Sequence, residues 1–292
     1  FFPDLNSWVP LMLDRPLQSL VNGQQAEHIS IRDRGFQYGD GCFETIRILF
    51  NKPILWSEHL KRLKYACKTL KLSVNFDLLK SEVAQLIRVN KATNVILKIN
   101  ITRGEGGRGY APAVQSDCTR ILQLIDYVAP STSSGARVVV CRHRLSSNSF
   151  LGGIKHLNRL DQVLASAQIP ADCDEGLCMD EAGYVIEGCR SNLLFAIDNK
   201  LVSPDLSKSG VKGVMLDHLI DEFGVKGIAV IRRTISMSEL KRADEILLCN
   251  SVFGVWPIAE IQNEDWRITL KEKPFTAAAL EIQSKLFRNN TR

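Results

Sequence analysis

Ala129-Pro130-Ser131-Thr132-Ser133-Ser134-Gly135 is the strongest linker candidate in a sequence of 292 residues, a run of small and turn-forming residues between two differently patterned halves. Upstream, Asn22-Gly23 signals a hairpin turn, Cys42 to Phe50 reads as a strand, and Asn51-Lys52-Pro53 reads as the turn before another short strand. Ser57 offers an N-cap for a helix with Leu60, Leu63, Cys67 and Leu70 on one face. A second helix spans Phe76 to Val89 with Leu79, Val83, Leu86 and Ile87 inward. Val95, Leu97, Ile99 and Ile101 alternate with polar residues as in a half-buried strand, and another strand covers Ile121 to Val128.

Downstream, Ala136 to Leu145 is a β-branched strand, and Asn158 to Ile169 reads as a helix with Leu160, Val163, Leu164 and Ala167 on one side. Short strands follow around Leu177, Val185, Leu193 to Ile197, and Leu201-Val202. A helix from Val214 to Phe223 ends at Gly224 as its C′ glycine, Ser236 to Glu239 is a capping box, Ile246 to Cys249 is a buried strand, and Thr276 to Phe287 is the closing helix. The expectation is a mixed α/β protein of the α+β type: a small domain at 19–129, a linker at 130–135 and a larger domain at 136–292, the one that carries the cofactor if the resemblance given below holds. Residues 1–18 stand apart as an N-terminal extension or a cloning remnant.

The net charge of +5 is mild and Lys and Arg form no tract, which argues against nucleic acid and suits a small anionic substrate. No apolar run approaches the roughly 20 residues of a membrane span. Phe1-Phe2-Pro3-Asp4-Leu5 lacks a basic region before an apolar core, so no signal peptide is expected. The eight cysteines form no Cys-x-x-Cys pair and have no His at zinc-ligand spacing, so no metal is expected and reduced, cytoplasmic thiols are.

The chemistry centres on Gly152-Gly153-Ile154-Lys155-His156-Leu157-Asn158-Arg159-Leu160. The ordinary reading of Lys155 is a solvated lysine near a helix start. Against it, a cation at a helix N-terminus is disfavoured, which pushes the amine toward its neutral, nucleophilic form, and the two glycines admit a bulky group. Glu187 is either an exposed strand-end carboxylate or the acid that pairs with a protonated pyridine nitrogen. Gly210 to Met215 runs from loop into helix, so its free N–H groups suit a phosphate, and Arg62 lies off the apolar face of its helix where it can join them. The glycine-rich loop Arg103 to Tyr110 lacks a P-loop ending and is either a mobile hairpin or a presenter of Arg108 and Tyr110 to a substrate carboxylate. The histidines suggest no triad.

Taken in order, Asp33 to Glu44, His59 to Leu63, Thr102 to Tyr110, Gly153 to Leu160, Val185 to Leu193, Lys212 to Met215 and Cys249-Asn250-Ser251 resemble the fold-type IV pyridoxal-phosphate enzymes. The resemblance covers residues 19 to 285. It implies a small α/β domain beside a larger β-barrel-like one, a homodimer, and pyridoxal 5'-phosphate held by Lys155, with Glu187 at the pyridine nitrogen. It also implies Arg62, Gly213, Val214, Met215, Asn250 and Ser251 around the cofactor, and Phe43, Arg108 and Tyr110 near the substrate. Within the family, His156 to Leu160 and Gly106 to Tyr110 are similar to the 4-amino-4-deoxychorismate lyases, which make 4-aminobenzoate and pyruvate for folate synthesis. D-amino-acid and branched-chain aminotransferases are the alternative, and Glu44 is what they carry where some lyases have threonine. A catalytically silent cofactor-binding relative is the third reading.

Overall fold

The computed structural model describes residues 18–107, 109–112, 117–130, 134–270 and 274–289. The expected extension at 1–18 therefore lies, but for Gln18, outside the described residues, as do Arg108 and the centre of the 130–135 linker.

The first half builds one antiparallel sheet from β1 (Gln18–Val21), β2 (Gln24–Gln25), β3 (Gly41–Leu49), β4 (Lys52–Pro53), β5 (Asn94–Thr102) and β6 (Thr119–Asp126), in the order β2-β1-β6-β5-β3-β4. Strict alternation buries Cys42, Ile46 and Ile48 of β3 and Leu97, Ile99 and Ile101 of β5 on one face. Two helices, α2 (Trp56–Thr69) and α3 (Phe76–Asn90), follow the short α1 (Arg34–Tyr38) and cover that face with Leu63, Ala66, Cys67, Leu79, Val83 and Leu86. Asn22 and Gly23 both adopt positive φ, as a two-residue hairpin turn requires.

The second half builds a nine-stranded sheet. Its strands are β7 (Ala136–Leu145), β8 (Glu175–Asp180), β9 (Val185–Gly188), β10 (Asn192–Ile197), β11 (Lys200–Pro204), β12 (Val230–Arg233), β13 (Glu245–Asn250), β14 (Gly254–Gln262) and β15 (Arg267–Thr269). The order is β12-β11-β10-β13-β14-β7-β8-β9, with β15 on β14. The sheet curls until β9 packs back against β10 and β11, which gives it a barrel-like form. Separate apolar cores lie on its two sides: α5 (Val214–Val225) and α7 (Pro274–Asn289) help to close one, and α6 (Met237–Arg242) the other. No helix among the described residues is long and apolar enough to cross a membrane.

Several expectations shift. The helix expected behind Ser57, α2, starts at Trp56 after Leu55 in the left-handed region, and Ser57 bonds Glu58 instead of capping. Lys52-Pro53 is the short strand itself, its turn being Phe50-Asn51 at positive φ. Gly224 lies inside α5, which ends at Val225 with Lys226 as its C-cap, and Gly227 takes a positive φ. The helix expected over 158–169 is only α4 (Leu160–Ser166), and of its residues just Ala165 is buried while Leu160, Val163 and Leu164 face outward.

One extended segment joins the two sheets. Leu157 N–H donates to Gly41 O and Phe43 N–H to Lys155 O, fastening 155–157 to β3. On its other flank, Gly153 N–H donates to Gly210 O and Lys212 N–H to Gly153 O. Ile154 is buried in the core of the first sheet. Gly153 sits at φ +78, a conformation that favours glycine. Gly153→Ala is expected to cost about 1–3 kcal/mol of stability through that strain, read as a lowered urea midpoint.

Candidate active site

Those hydrogen bonds fix the chain on both flanks of Lys155. Ile154 enters the core, and Lys155 turns the other way, placing Nζ 4.4 Å from the ring centre of Phe43. The α4 helix begins five residues later, so the helix terminus expected to activate Lys155 is not beside it. Burial instead pushes the amine down to about 8, with Arg62 and Arg159 adding their repulsion and Glu44 and Glu187 opposing it.

Arg62 is placed by α2 and held by a buried carboxylate. Its Nε donates to Glu44 Oε1 at 2.8 Å, Nη2 to Glu44 Oε2 at 2.6 Å, and Nη1 to the Lys212 carbonyl at 2.9 Å. Glu44 also meets His59 Nδ1 at 2.6 Å. Burial alone would raise the Glu44 carboxyl, but Arg62 and His59 outweigh it and hold it down at about 2. Arg62 thus carries a fixed orientation, with its remaining Nη hydrogens available to an anion.

Glu187, on β9, is 4% exposed. Val211 N–H donates to its Oε2 at 2.8 Å, Asn192 Nδ2 lies 3.5 Å from the same oxygen, and Gln162 Nε2 lies 3.4 Å from Oε1. Burial pushes the carboxyl up to about 7, although Val211, Arg159, Lys155 and Gln162 all favour the charged form. The alternative of an exposed strand-end carboxylate is therefore wrong: this acid is enclosed and poised between its two states.

Gly213 is the N-cap of α5 and provides no side-chain cap, while Val214 and Met215 behind it are buried. The first N–H groups of that helix are donors without intrahelical partners. A Cβ on Gly213 would stand 1.7 Å from Asn192 Oδ1, so the close approach demands glycine. Arg62 reaches the same loop through the Lys212 carbonyl, so a guanidinium and a helix N-terminus converge there. Asn250 is occupied differently: its Oδ1 accepts from Val252 and Phe253 N–H and its Nδ2 donates to the Arg190 carbonyl, closing the turn that contains Ser251. Arg47 of β3 donates to Val252 O at 2.9 Å, which brings that turn to the first sheet.

Tyr110 is 84% exposed and packs edge-on against Tyr38, with centroids 5.5 Å apart. Its carbonyl and that of Gly109 receive Arg34, so the loop is anchored by backbone and not by its aromatic ring. Arg108, beside it, lies outside the described residues.

Four contributors escaped the sequence reading of the site: Glu44 as the holder of Arg62, His59, Asn192 and Gln162. Glu44 carried a signal, since a charge stands at an inward position of an otherwise apolar alternation. Asn192 and Gln162 carried none, because their roles depend on how β9, β10 and α4 meet.

The family model "Amino-transferase class IV" matches residues 41–261. An aminodeoxychorismate lyase of Vibrio harveyi is 33% identical over 253 residues, covering 85% of this chain and 93% of that protein. The crystal structure of 4-amino-4-deoxychorismate lyase from Pseudomonas aeruginosa superposes with a TM-score of 0.85 at 37% identity, covering 94% of this chain and all of that one. The branched-chain amino acid aminotransferase of Escherichia coli shares the fold, with a TM-score of 0.82 at 23% identity over 95% of this chain and 96% of that one.

The raised Glu187 carboxyl makes a prediction for the cofactor-free protein. Its folded value of about 7 exceeds the ordinary 4.5, so its contribution to stability is complete below 4.5 and is lost as pH rises through 7. Between those values the Glu187→Gln midpoint should gain on the parent's as pH rises, against a background of Glu175, which burial also pushes up to about 7, and of His156, which burial holds down at about 4 and which acts in the opposite sense. An unchanged pH slope would contradict the assignment.

Proposed function

The chain belongs to the class IV amino-transferase family, and on that premise we propose that it is a pyridoxal-phosphate-dependent lyase converting 4-amino-4-deoxychorismate into 4-aminobenzoate and pyruvate. The observation that carries the cofactor is the convergence on one segment: an enclosed amine lowered to about 8, an enclosed carboxyl raised to about 7, and a guanidinium beside an uncapped helix N-terminus. That donor set fits pyridoxal 5'-phosphate: Lys155 would attach it, Glu187 would face its ring nitrogen, and Arg62 with the Gly213-Val214-Met215 backbone would hold its phosphate, next to the turn of Asn250 and Ser251. When bound, the cofactor supplies an electron sink for negative charge at the carbon next to the substrate nitrogen.

This chain's residues would do the rest. Lys155, when free, is the base that takes the proton from the carbon bearing the substrate's amine. The ring carbon–oxygen bond to the enolpyruvyl group then breaks, the ring becomes aromatic, and protonated Lys155 is placed to return its proton to the departing enolpyruvate carbon, giving pyruvate. Phe43 supplies the apolar wall that keeps the amine from water. Arg108 and Tyr110 belong to this reading as candidates for a substrate carboxylate. Residues 19–129 and 136–292 are read as its small and large domains. A homodimer in the cytoplasm is part of the same proposal, and the eight free cysteines suit a reducing compartment.

The lyase reading rests on the two lyase relatives, 33% and 37% identical over most of the chain. The second reading is an aminotransferase, since Glu44, here locked to Arg62, is the residue those enzymes carry where some lyases have threonine. Incubation with 4-amino-4-deoxychorismate and no second substrate separates the two. Equal amounts of 4-aminobenzoate and pyruvate are expected, with Lys155→Ala losing turnover by a factor of about 10³ or more. Amino-group transfer between amino acids and 2-oxo acids, without 4-aminobenzoate, would overturn the lyase reading.

A further inference from the structure

The core beneath α4 holds three thiols that the reaction leaves unused. Cys141 lies on β7, Cys178 on β8 and Cys189 just after β9, and none is spaced from another as metal ligands usually are along a sequence. The sheet brings them together, because β7 pairs with β8 in parallel and β8 with β9 antiparallel. Their Sγ atoms all lie within 4.8 Å of one another, with those of Cys178 and Cys189 3.7 Å apart. Gly176 leaves room for the group: a Cβ there would stand 2.6 Å from Cys141 Sγ and 2.9 Å from Cys189 Sγ.

A reduced cysteine packs as a small hydrophobe, and burial alone gives it no further role. Geometry sets these three apart. A metal–sulfur bond is about 2.3 Å long, so three sulfurs in a plane around one ion stand about 4.0 Å apart. The side chains already approach that triangle. The other close pair, Cys42 and Cys67 at 3.7 Å, belongs to no such group of three among the described residues. The donors then select the ion. Thiolates favour soft cations, and a structural zinc site takes four ligands. Among the described residues no imidazole or carboxylate joins the three sulfurs as a fourth. The polar groups against them are the Ala165 carbonyl, 3.5 Å from Cys141 Sγ, and the Ser166 hydroxyl and Gly176 backbone at Cys189. Cys141 and Cys178 are 1% and 0% exposed, which keeps water from the vacant side, while Cys189 at 8% marks the edge from which an ion can enter.

We propose that Cys141, Cys178 and Cys189 form a site for one soft, thiophilic cation of the copper(I) class, held by three sulfurs in a plane. The ion enters past Cys189. Each sulfur that ligates as a thiolate releases its proton to solvent, so binding tightens as pH rises. Once bound, the ion ties β7, β8 and the end of β9 together beneath α4. Cys178 stands across the ladder from Glu187, yet the groups acting most strongly on Glu187 and on Lys155 include none of these sulfurs. The site does not depend on which reaction Lys155 performs.

Anaerobic titration of the full chain with copper(I) against a coloured chelator, with and without pyridoxal phosphate, tests this. One equivalent per chain should bind tightly in both forms, and X-ray absorption should find three sulfurs at about 2.3 Å from the metal. Cys178→Ala and Cys189→Ala should each weaken that equivalent about a hundredfold or more, at least the loss seen when a ligand merely loses its supporting partner. Cys189→Ala, at the edge of the core, serves alone if Cys178→Ala does not fold. Cys67→Ala should leave the affinity unchanged. The proposal is overturned if no tight equivalent binds, if the metal is held by two sulfurs, or if the Cys178 and Cys189 variants keep full affinity. It is equally overturned if Cys67→Ala removes binding, which would put the ion at the other thiol pair, or if pyridoxal phosphate does, which would put it in the reaction space.

Discussion

The site depends on a strand-like segment of five residues that belongs to neither sheet alone. Residues 153–157 hydrogen-bond to Gly41 and Phe43 on one flank and to Gly210 and Lys212 on the other. The consequence is positional: main-chain hydrogen bonds register Lys155 to β3 and to the loop before α5, and the Arg62 guanidinium joins them through its side-chain bonds to Glu44 and the Lys212 carbonyl. A reactive amine needs that kind of backing, because the rotamer freedom of lysine would otherwise spread it over several positions.

Electrostatics divides the labour around that segment. Glu44 is buried but so well matched by Arg62 and His59 that it stays charged, and it works as a clamp. Glu187 is equally buried but meets mostly neutral donors, so it sits near its own titration point. Two carboxyls of the same type are thereby driven to opposite ends of the scale by their neighbours alone. The first fixes a cation, and the second is able to answer to a change in charge on whatever faces it.

Much of the fold was legible because its strands alternate. The β3 and β5 segments and the inward face of α3 follow directly from the periodicity of their apolar residues, and β7 and β10 from their β-branched and continuous apolar runs. The longest strand missed, β14, is interrupted by Pro257, which argues against a central strand, yet it pairs with both β13 and β7 and carries a register shift at 258–260 that accommodates the irregularity. The apolar stripe of α4 was misread for the opposite reason: its spacing is helical, but Leu160, Val163 and Leu164 face away from the core. Lys155, Glu187 and Arg62 were found through the order of their motifs. Their environments were not, since Gln162, Asn192 and Val211 approach Glu187 only after the sheet has curled, and no local pattern encodes that.

The crowding between Gly213 and Asn192 also constrains how this sequence can vary. The Asn192 amide bonds the Val211 carbonyl and lies beside Glu187, while its oxygen fills the space in which residue 213 would carry a side chain. A methyl group at 213 would evict the amide, and with it a neighbour of the acid. A side chain at residue 213 therefore fits only beside a smaller residue at 192. The floor beneath the Lys212-Gly213 loop and the environment of Glu187 are, in that sense, one unit.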